Sequence, residues 1–314
     1  MRGLPTSRRT VIFDETVRVH HLLDRDHVLG PVMLAPLLIY LVALVGLPLV
    51  LVFFYAFSDA STGNTTFSFV GFETFQKTLA DPVFRASIRN TIVFTVLSQV
   101  IVIVLATILG FVMSADFKGK WIVRFLILLP WTTPVALSSL AWLWMLDSLF
   151  SPFNWIFGQI HLIEPGTPVA WLGENSLAVG SVIALQAWRT LPLAAVILMA
   201  GLTSIPPELT EQAQIDGAGF WRRLFDITFP LLAPIMMVAI LFGIVATFTD
   251  MAVVYILTRG GPGNATQVLA SWSFYTGIQG GSLAEGAAIG LFMFPVLLGV
   301  CFLMLRRASQ VDVT

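Results

Sequence analysis

Polar side chains recur at helical spacing inside two of the most apolar stretches of the chain. Two sets follow the i, i+3, i+4, i+7 pattern: Gln186, Arg189, Thr190 and Leu193, and then Gly243, Ala246, Thr247 and Asp250. This spacing places each set on one face of a helix. Carboxamide, guanidinium and carboxylate groups could exchange hydrogen bonds with a hydroxylated solute, and aromatic rings such as those of Trp188 or Phe248 could stack on its C–H face.

The two charges also allow a purely structural interpretation. A charged side chain near the middle of a membrane helix costs several kcal/mol (about 3 on insertion scales) unless it is paired or solvated. Arg189 and Asp250 could therefore form a bridge that holds two helices together, and such a bridge could also open when a solute competes for it. The sequence leaves both interpretations open.

The other chemistry-bearing residues form no catalytic or metal-binding set. Cys301 is the single cysteine, and the four histidines lie in polar segments without acidic or cysteine partners at ligand spacing. No Gly-x-x-x-x-Gly-Lys-Ser/Thr phosphate loop occurs in the chain. We predict that the chain is not an enzyme and binds no metal or cofactor itself. If ATP drives it, a second chain must hold the nucleotide.

Composition identifies the class of protein. Hydrophobic residues make up 57% of the 314 residues, charged residues make up 11%, and the mean hydropathy is +0.87. These values predict an integral membrane protein in contact with lipid. The net charge of −1, with scattered basic residues, predicts no nucleic-acid partner.

Six stretches are long enough to cross a bilayer, which takes about 20 helical residues. They predict an all-α polytopic protein with spans at 29–57, 90–113, 121–146, 177–201, 232–257 and 286–305. Prolines within these stretches, among them Pro130, Pro134 and Pro192, predict kinks. We expect a leader at 1–28, a transmembrane domain at 29–306 and a short tail at 307–314.

Basic residues set the expected orientation. Lys and Arg concentrate in the leader, in the segments that follow the second and fourth spans, and after the sixth span. The positive-inside rule then predicts that both termini and the loop 202–230 are cytoplasmic and that the loop 258–265 faces outward.

The loop 202–230 contains a segment that predicts a helix–turn–helix. Glu211 and Asp216 precede the Gly217-Ala218-Gly219 patch, which offers bare backbone, and Phe220 and Trp221 follow. This pattern indicates a surface where another protein docks. An amphipathic helix lying on the membrane surface is the alternative.

Three ordered motifs resemble a known family. The run Glu211-x-Ala213-x-x-Asp216-Gly217-Ala218 resembles the "EAA" loop of permease subunits of bacterial ATP-binding-cassette importers, with Gln212 in place of the usual second alanine. Trp188-x-x-x-Pro192 lies upstream, and Gly260-Gly261-Pro262 lies downstream in an outer loop. Together they resemble the carbohydrate branch, the MalF-like subunits of maltose transporters, over roughly residues 30–306.

The resemblance implies a type I importer permease fold with six helices. It implies as partners a second homologous, MalG-like permease chain, two cytosolic ATPase subunits that bind ATP and Mg, and an extracytoplasmic sugar-binding protein. The EAA loop would be the coupling element held by the ATPase, through Glu211, Ala213, Asp216, Gly217 and Ala218. The sugar path would be lined by Gln186, Arg189, Thr190, Leu193, Gly243, Thr247 and Asp250.

The function predicted on these grounds is one half of the path for a sugar in the membrane of a bacterial cell. The charged Arg189–Asp250 pair departs from the neutral lining expected for a maltose-like ligand, so a disaccharide, another glycoside and a phosphorylated polyol all remain candidates. The alternative is an ion-coupled secondary transporter of a small polar solute, for which inverted repeats would be expected. A membrane-embedded enzyme ranks last.

Overall fold

The computed structural model describes residues 26–64, 68–164 and 166–311, and these residues are almost entirely helical. Within them the single strand-like feature is an isolated antiparallel bridge between Ser58 and Phe69. Most of the expected leader, residues 1–25, lies outside the described residues, as do residues 312–314 of the expected tail. The last helix continues to Val311, beyond the boundary expected at 306.

The chain divides into two compact units, residues 1–51 and 52–314. Helix α1 (Asp26–Leu41) leads through a π-helical turn (Val42–Gly46) into α2 (Leu47–Ala56), which continues past the boundary at residue 51. Pro48 has no N–H for the carbonyl of Leu44, which accounts for the wider turn before it. The apolar stretch Gly30–Ala56 is long enough to cross a membrane, as expected for 29–57.

Four long helices form the frame of the second unit. They are α4 (Pro82–Ser114), α8 (Asn175–Ser204), α11 (Phe229–Phe248) and α14 (Leu283–Val311). The helices α4, α8 and α11 pack against one another, and α11 also packs against α14. Pro192 lies inside α8 without ending it. Helix α4 begins eight residues before the expected span because Asp81 caps it, accepting a hydrogen bond from the N–H of Val83 at 2.9 Å.

The third expected span, 121–146, is not a continuous helix. It consists of α5 (Lys120–Thr132) and α6 (Val135–Met145), which meet at an angle of 98°. Thr133 is extended because it precedes Pro134, and a residue before proline is kept out of the helical region. The described residues thus contain five helices able to cross a membrane, or six if this bent pair counts as one span.

The fifth expected span, 232–257, was also placed wrongly. Its helix begins earlier, with α10 (Phe220–Arg223) and a π-helical turn (Leu224–Thr228) that leads into α11, and it ends at Phe248. A short helix, α12 (Ala252–Leu257), follows a break of three residues. Asp250 lies in this break and not on the helix, because its carboxylate accepts a hydrogen bond from the N–H of Val253, 3.0 Å away, at the start of α12.

Shorter helices lie between the long ones. They are α3 (Glu73–Ala80), α7 (Pro152–Gln159), α9 (Pro207–Ile215) and α13 (Leu269–Phe274), the last continued by a π-helical turn (Tyr275–Gln279). A buried apolar cluster with Val102, Leu198 and Leu232 joins α4, α8 and α11. A second, with Leu185 and Val254, joins α8 to α12. These clusters fix the inner faces on which the polar residues lie.

Candidate functional site

A buried hydrogen bond joins the two predicted polar faces. The Nε2 of Gln186 on α8 donates to the hydroxyl of Thr247 on α11 over 3.1 Å, and both side chains are buried. Thr190, one turn after Gln186, donates its hydroxyl to the Gln186 carbonyl at 2.8 Å. The Oε1 of Gln186 is buried and has no hydrogen-bond partner among the described residues. One acceptor on this face is therefore left unused.

Arg189 and Asp250 form the ion pair that the sequence allowed. The Nη2 of Arg189 lies 2.5 Å from Oδ2 of Asp250, and the two side chains are 17% and 7% exposed. The other oxygen of Asp250 accepts the N–H of Val253, so one carboxylate connects α8 to the beginning of α12. The structural bridge is thus present, although Asp250 reaches Arg189 from the break after α11 and not from the helical face.

The remaining path residues meet around a small cavity. Thr190 and Leu193 of α8 and Gly243 of α11 line it, together with Trp131 and Phe242. Its volume is about 20 Å³, close to that of a single water-sized probe. The predicted faces therefore do converge, but in this structure they are closed against each other.

Gln99 is a polar residue at this junction that the sequence analysis missed. It lies on α4, its carboxamide is packed on Gly243, and it is 6% exposed. Buried polar residues recur along this helix at 87, 91, 95, 98 and 99, with helical spacing. That recurrence was readable in the sequence and would have indicated a third polar face.

The residues of the EAA resemblance lie on an exposed helical corner. Helix α9 ends in a Schellman motif, in which the N–H of Ala218 donates to the Ala213 carbonyl at 2.9 Å and the N–H of Gly217 to the Gln214 carbonyl at 3.0 Å. Gly217 has a φ of +78°, which favours glycine. Glu211, Asp216 and Gly217 are exposed, whereas Ala213 is buried. The predicted helix–turn–helix is confirmed.

An aromatic ridge continues from this corner. Phe220, Trp221 and Phe225 are all more than half exposed, and the rings of Trp221 and Phe225 stack with centroids 6.0 Å apart. Exposed aromatic surface of this kind suits either a partner protein or the headgroup layer of a membrane. The two sequence interpretations of this segment therefore both remain.

The loop after α12 is held against α4 and forms one wall of a cavity near the start of that helix. Asn90 donates through Nδ2 to the carbonyls of Asn264 and Gln267 at 3.1 and 3.0 Å, and the Gly261–Pro262 peptide is cis. The cavity measures about 430 Å³ and is lined by residues that include Arg89, Asn175 and Thr266. It lies apart from the Arg189–Asp250 pair, since neither residue lines it.

Carboxylates outside the spans make hydrogen bonds and ion pairs with nearby groups in turns and at helix ends. The backbone N–H groups of Phe150 and Leu149 donate to Asp147 just after α6, and these bonds lower the pKa of Asp147 below its usual value. Lys120 donates to Asp116 and lowers the pKa of that carboxyl in the same way. Among the described residues no group of His, Cys, Asp and Glu could hold a metal ion.

Comparisons with known proteins identify a family model and several similar chains. A family model described as "Binding-protein-dependent transport system inner membrane component" matches residues 102–309. The chain is 30% identical to the trehalose/maltose transport system permease protein MalF of Thermococcus litoralis, with 90% of this chain and 94% of the relative covered. It is 28% identical to the sulfoquinovosyl glycerol transport system permease protein SmoG of Agrobacterium fabrum, with 91% and 92% covered.

A solved structure shares the fold. It is a chain of a bacterial ABC transporter involved in the import of the acidic polysaccharide alginate, which superposes with a TM-score of 0.77 at 20% identity. The match covers 92% of this chain and 97% of that chain. The importer permease fold expected from the sequence is confirmed.

Proposed function

The chain belongs to the family of binding-protein-dependent transport system inner membrane components, and from this premise we propose that it forms half of the translocation path of an ATP-driven carbohydrate importer. A second homologous, MalG-like chain supplies the other half. An extracytoplasmic binding protein delivers the sugar, and two cytosolic ATPase subunits hold ATP and Mg. The chain itself performs no chemistry.

One observation carries this proposal, namely the continuity between the polar faces and the exposed corner. Helix α8 carries Gln186 and Arg189 and runs to Ser204, immediately before α9. After the turn at Gly217 the chain returns through α10 into α11, which carries Gly243 and Thr247. A force applied to the corner therefore acts on both helices that hold the polar contacts.

The corner suits a docking role because its shape is set by its own backbone. The Schellman motif fixes the angle between α9 and α10, and the exposed carboxylates of Glu211 and Asp216 are free to meet a basic cleft. A rigid element in a cleft converts closure of the partner into tilting of the attached helices. We assign this role to Glu211, Ala213, Asp216, Gly217 and Ala218.

The proposed solute is a disaccharide or a related glycoside such as maltose or trehalose. Support comes from the relative named for trehalose and maltose, and from side chains that suit hydroxyls as donors and acceptors. Arg189 would leave Asp250 and bind the solute when it arrives. The proposed site is a bacterial cell membrane, with both termini and the corner cytoplasmic.

The first experiment is to purify the chain from its native membrane in mild detergent and to identify the co-purifying proteins by mass spectrometry. We expect an ATPase and a second EAA-bearing permease. The complex is then reconstituted in liposomes with its binding protein and tested for uptake of maltose, trehalose, sulfoquinovosyl glycerol and sn-glycerol 3-phosphate. Recovery of the chain alone, active without ATP, would instead favour the secondary transporter.

Two variants test the coupling assignment in the same complex. Gly217→Pro removes the donor N–H of the Schellman motif, and Asp216→Lys reverses a charge on the docking surface. Both should abolish ATP-driven uptake and leave membrane insertion intact. Asp116→Lys is the matched control, because it reverses an exposed charge in another loop predicted to lie on the same side. Near-normal uptake by both corner variants would refute the coupling role.

A further inference from the structure

Gln99 is buried, and within the part of the chain that the structure describes its carboxamide has no hydrogen-bond partner, which is unusual. Both its Oε1 and its Nε2 lack partners among the described residues, and water reaches little of the residue, which is only 6% exposed. Leaving a buried polar group without a hydrogen bond costs more free energy than forming one hydrogen bond gains. Such groups are therefore kept where another conformation or a ligand supplies the partner. Two such atoms on one side chain indicate a functional group.

The surroundings of Gln99 connect it to the predicted path. A Cβ added at Gly243 would overlap the Gln99 carboxamide, so the absence of a side chain at Gly243 is what makes room for it. Val102, one turn after Gln99, lines the same small cavity as Thr190 and Gly243. Thr247 lies one turn after Gly243 and bonds Gln186, whose Oε1 is also unpaired.

From this arrangement we propose that Gln99 is a specificity-determining residue of the path: when α4 and α11 separate, its carboxamide hydrogen-bonds a hydroxyl of the transported glycoside. The inference rests on the proposed function and adds a third helix to it. While the path is closed, the carboxamide of Gln99 occupies the space left by the missing side chain of Gly243. In the open state, Gln99, Gln186 and Arg189 then offer donors and acceptors from two helices.

Thiol labelling tests whether the position becomes accessible, whatever the solute is. Cys301→Ser removes the single cysteine, and Gln99→Cys is introduced into that background in the reconstituted complex. The probe is the water-soluble, membrane-impermeant reagent 2-(trimethylammonium)ethyl methanethiosulfonate. Labelling is measured in the resting state and in a state trapped with ATP and vanadate. Ser98→Cys is the matched control, because Ser98 is also buried and also has no hydrogen-bond partner among the described residues, but lies about 100° around the same helix.

We expect Gln99→Cys to react at least about tenfold faster than Ser98→Cys in one of the two states. Equal rates at both positions, or no reaction at Gln99→Cys in either state, would overturn the inference. A third result is also possible, in which Gln99→Cys is labelled but the otherwise native complex takes up no glycoside. Gln99 would then still line the path, but its contact with a sugar hydroxyl and the proposed substrate class would both be wrong.

Uptake kinetics test the contact itself. Gln99→Leu keeps the approximate volume but removes the carboxamide, and loss of one hydrogen bond to a neutral group should raise KM about 2- to 10-fold. A deoxy analogue that lacks the contacted hydroxyl should be taken up equally by Gln99→Leu and the native chain. A parallel fall of melting temperature and ATP hydrolysis, with KM unchanged, would show a structural residue and contradict the proposal.

Discussion

The junction where α8 meets α11 and the break after it, and the corner between α9 and α10 that lies between these helices in sequence, are held together by different kinds of contact. The junction depends on contacts between residues about sixty positions apart, such as Gln186 with Thr247 and Arg189 with Asp250. The corner depends on bonds within five residues and on the φ of Gly217. Separating the two arms of the junction would therefore break long-range contacts without changing the local bonds that shape the corner.

The largest expected effect comes from removing one charge of the junction. Asp250→Ala leaves the partly buried Arg189 without its partner, and breaking a buried ion pair in this way costs up to about 3–5 kcal/mol of unfolding free energy. The measurement is thermal melting in detergent at a fixed scan rate. The double variant Arg189→Met with Asp250→Leu should recover most of the loss, because no charge is left unpaired. Melting of Asp250→Ala at the native temperature would show that the pair is not formed.

A smaller effect should follow from the neutral contact in the same junction. Thr247→Val removes the acceptor for Gln186 and leaves a buried donor unpaired, which costs about 1–3 kcal/mol. Thr249→Val is the matched control, since the Thr249 hydroxyl is exposed and bonds only the carbonyl of Val245 in its own helix. Equal melting of the two variants would argue against a buried bond between Gln186 and Thr247.

The corner should respond to backbone changes alone. Gly217→Ala meets no atom within 4 Å but forces a side chain into the left-handed region, at a cost of about 1–2 kcal/mol. We expect weaker binding of the ATPase, measured by co-purification yield, and nearly native behaviour for Gly217→Asn. Gly219→Ala should have no effect, because Gly219 has an ordinary φ of −66° and open space around it. Loss of binding in Gly219→Ala would point to close packing by the partner instead.

The smallest effect on stability is expected at the tip of the corner. Ile215 is 85% exposed, so Ile215→Ser should change the unfolding free energy by less than about 0.5 kcal/mol. The same change should nevertheless reduce ATPase binding, because it removes the apolar contact beside Asp216. Leu162→Ser, at an exposed leucine of the loop after α7, serves as control and should leave binding unaffected. Unchanged binding in both would place the docking surface elsewhere.

Sequence reasoning recovered what is decided locally. The ends of α8, the turn at Gly217 and the helical character of the second, fourth and sixth spans follow from apolar runs, glycine and proline. The same reasoning brought Arg189 to Asp250, because unpaired charges are costly in apolar surroundings. The importer fold then followed from three motifs in order.

Sequence reasoning was wrong where the local structure is determined by tertiary contacts. The run around Thr133 is apolar, so hydropathy gave no sign of the 98° bend there. Asp250 interrupts the fifth apolar run, but a single charged residue is also compatible with a continuous helix, so the break was not predicted. A proline predicts a kink but not its angle. Gln99 was missed because it lies outside the two predicted polar faces, and its significance depends on the space that Gly243 leaves on a neighbouring helix.

The carboxylate of Asp250 makes two bonds of different kinds. Its Oδ1 accepts a backbone N–H at the start of α12, whereas its Oδ2 meets the end of the long, flexible Arg189 side chain. If Arg189 turned away, the carboxylate would still be oriented by the α12 backbone. Under the proposed function, exchange at this pair would be one-sided: the acceptor would keep its place and only the donor would be replaced, so an incoming hydroxyl would meet an acceptor that is already oriented.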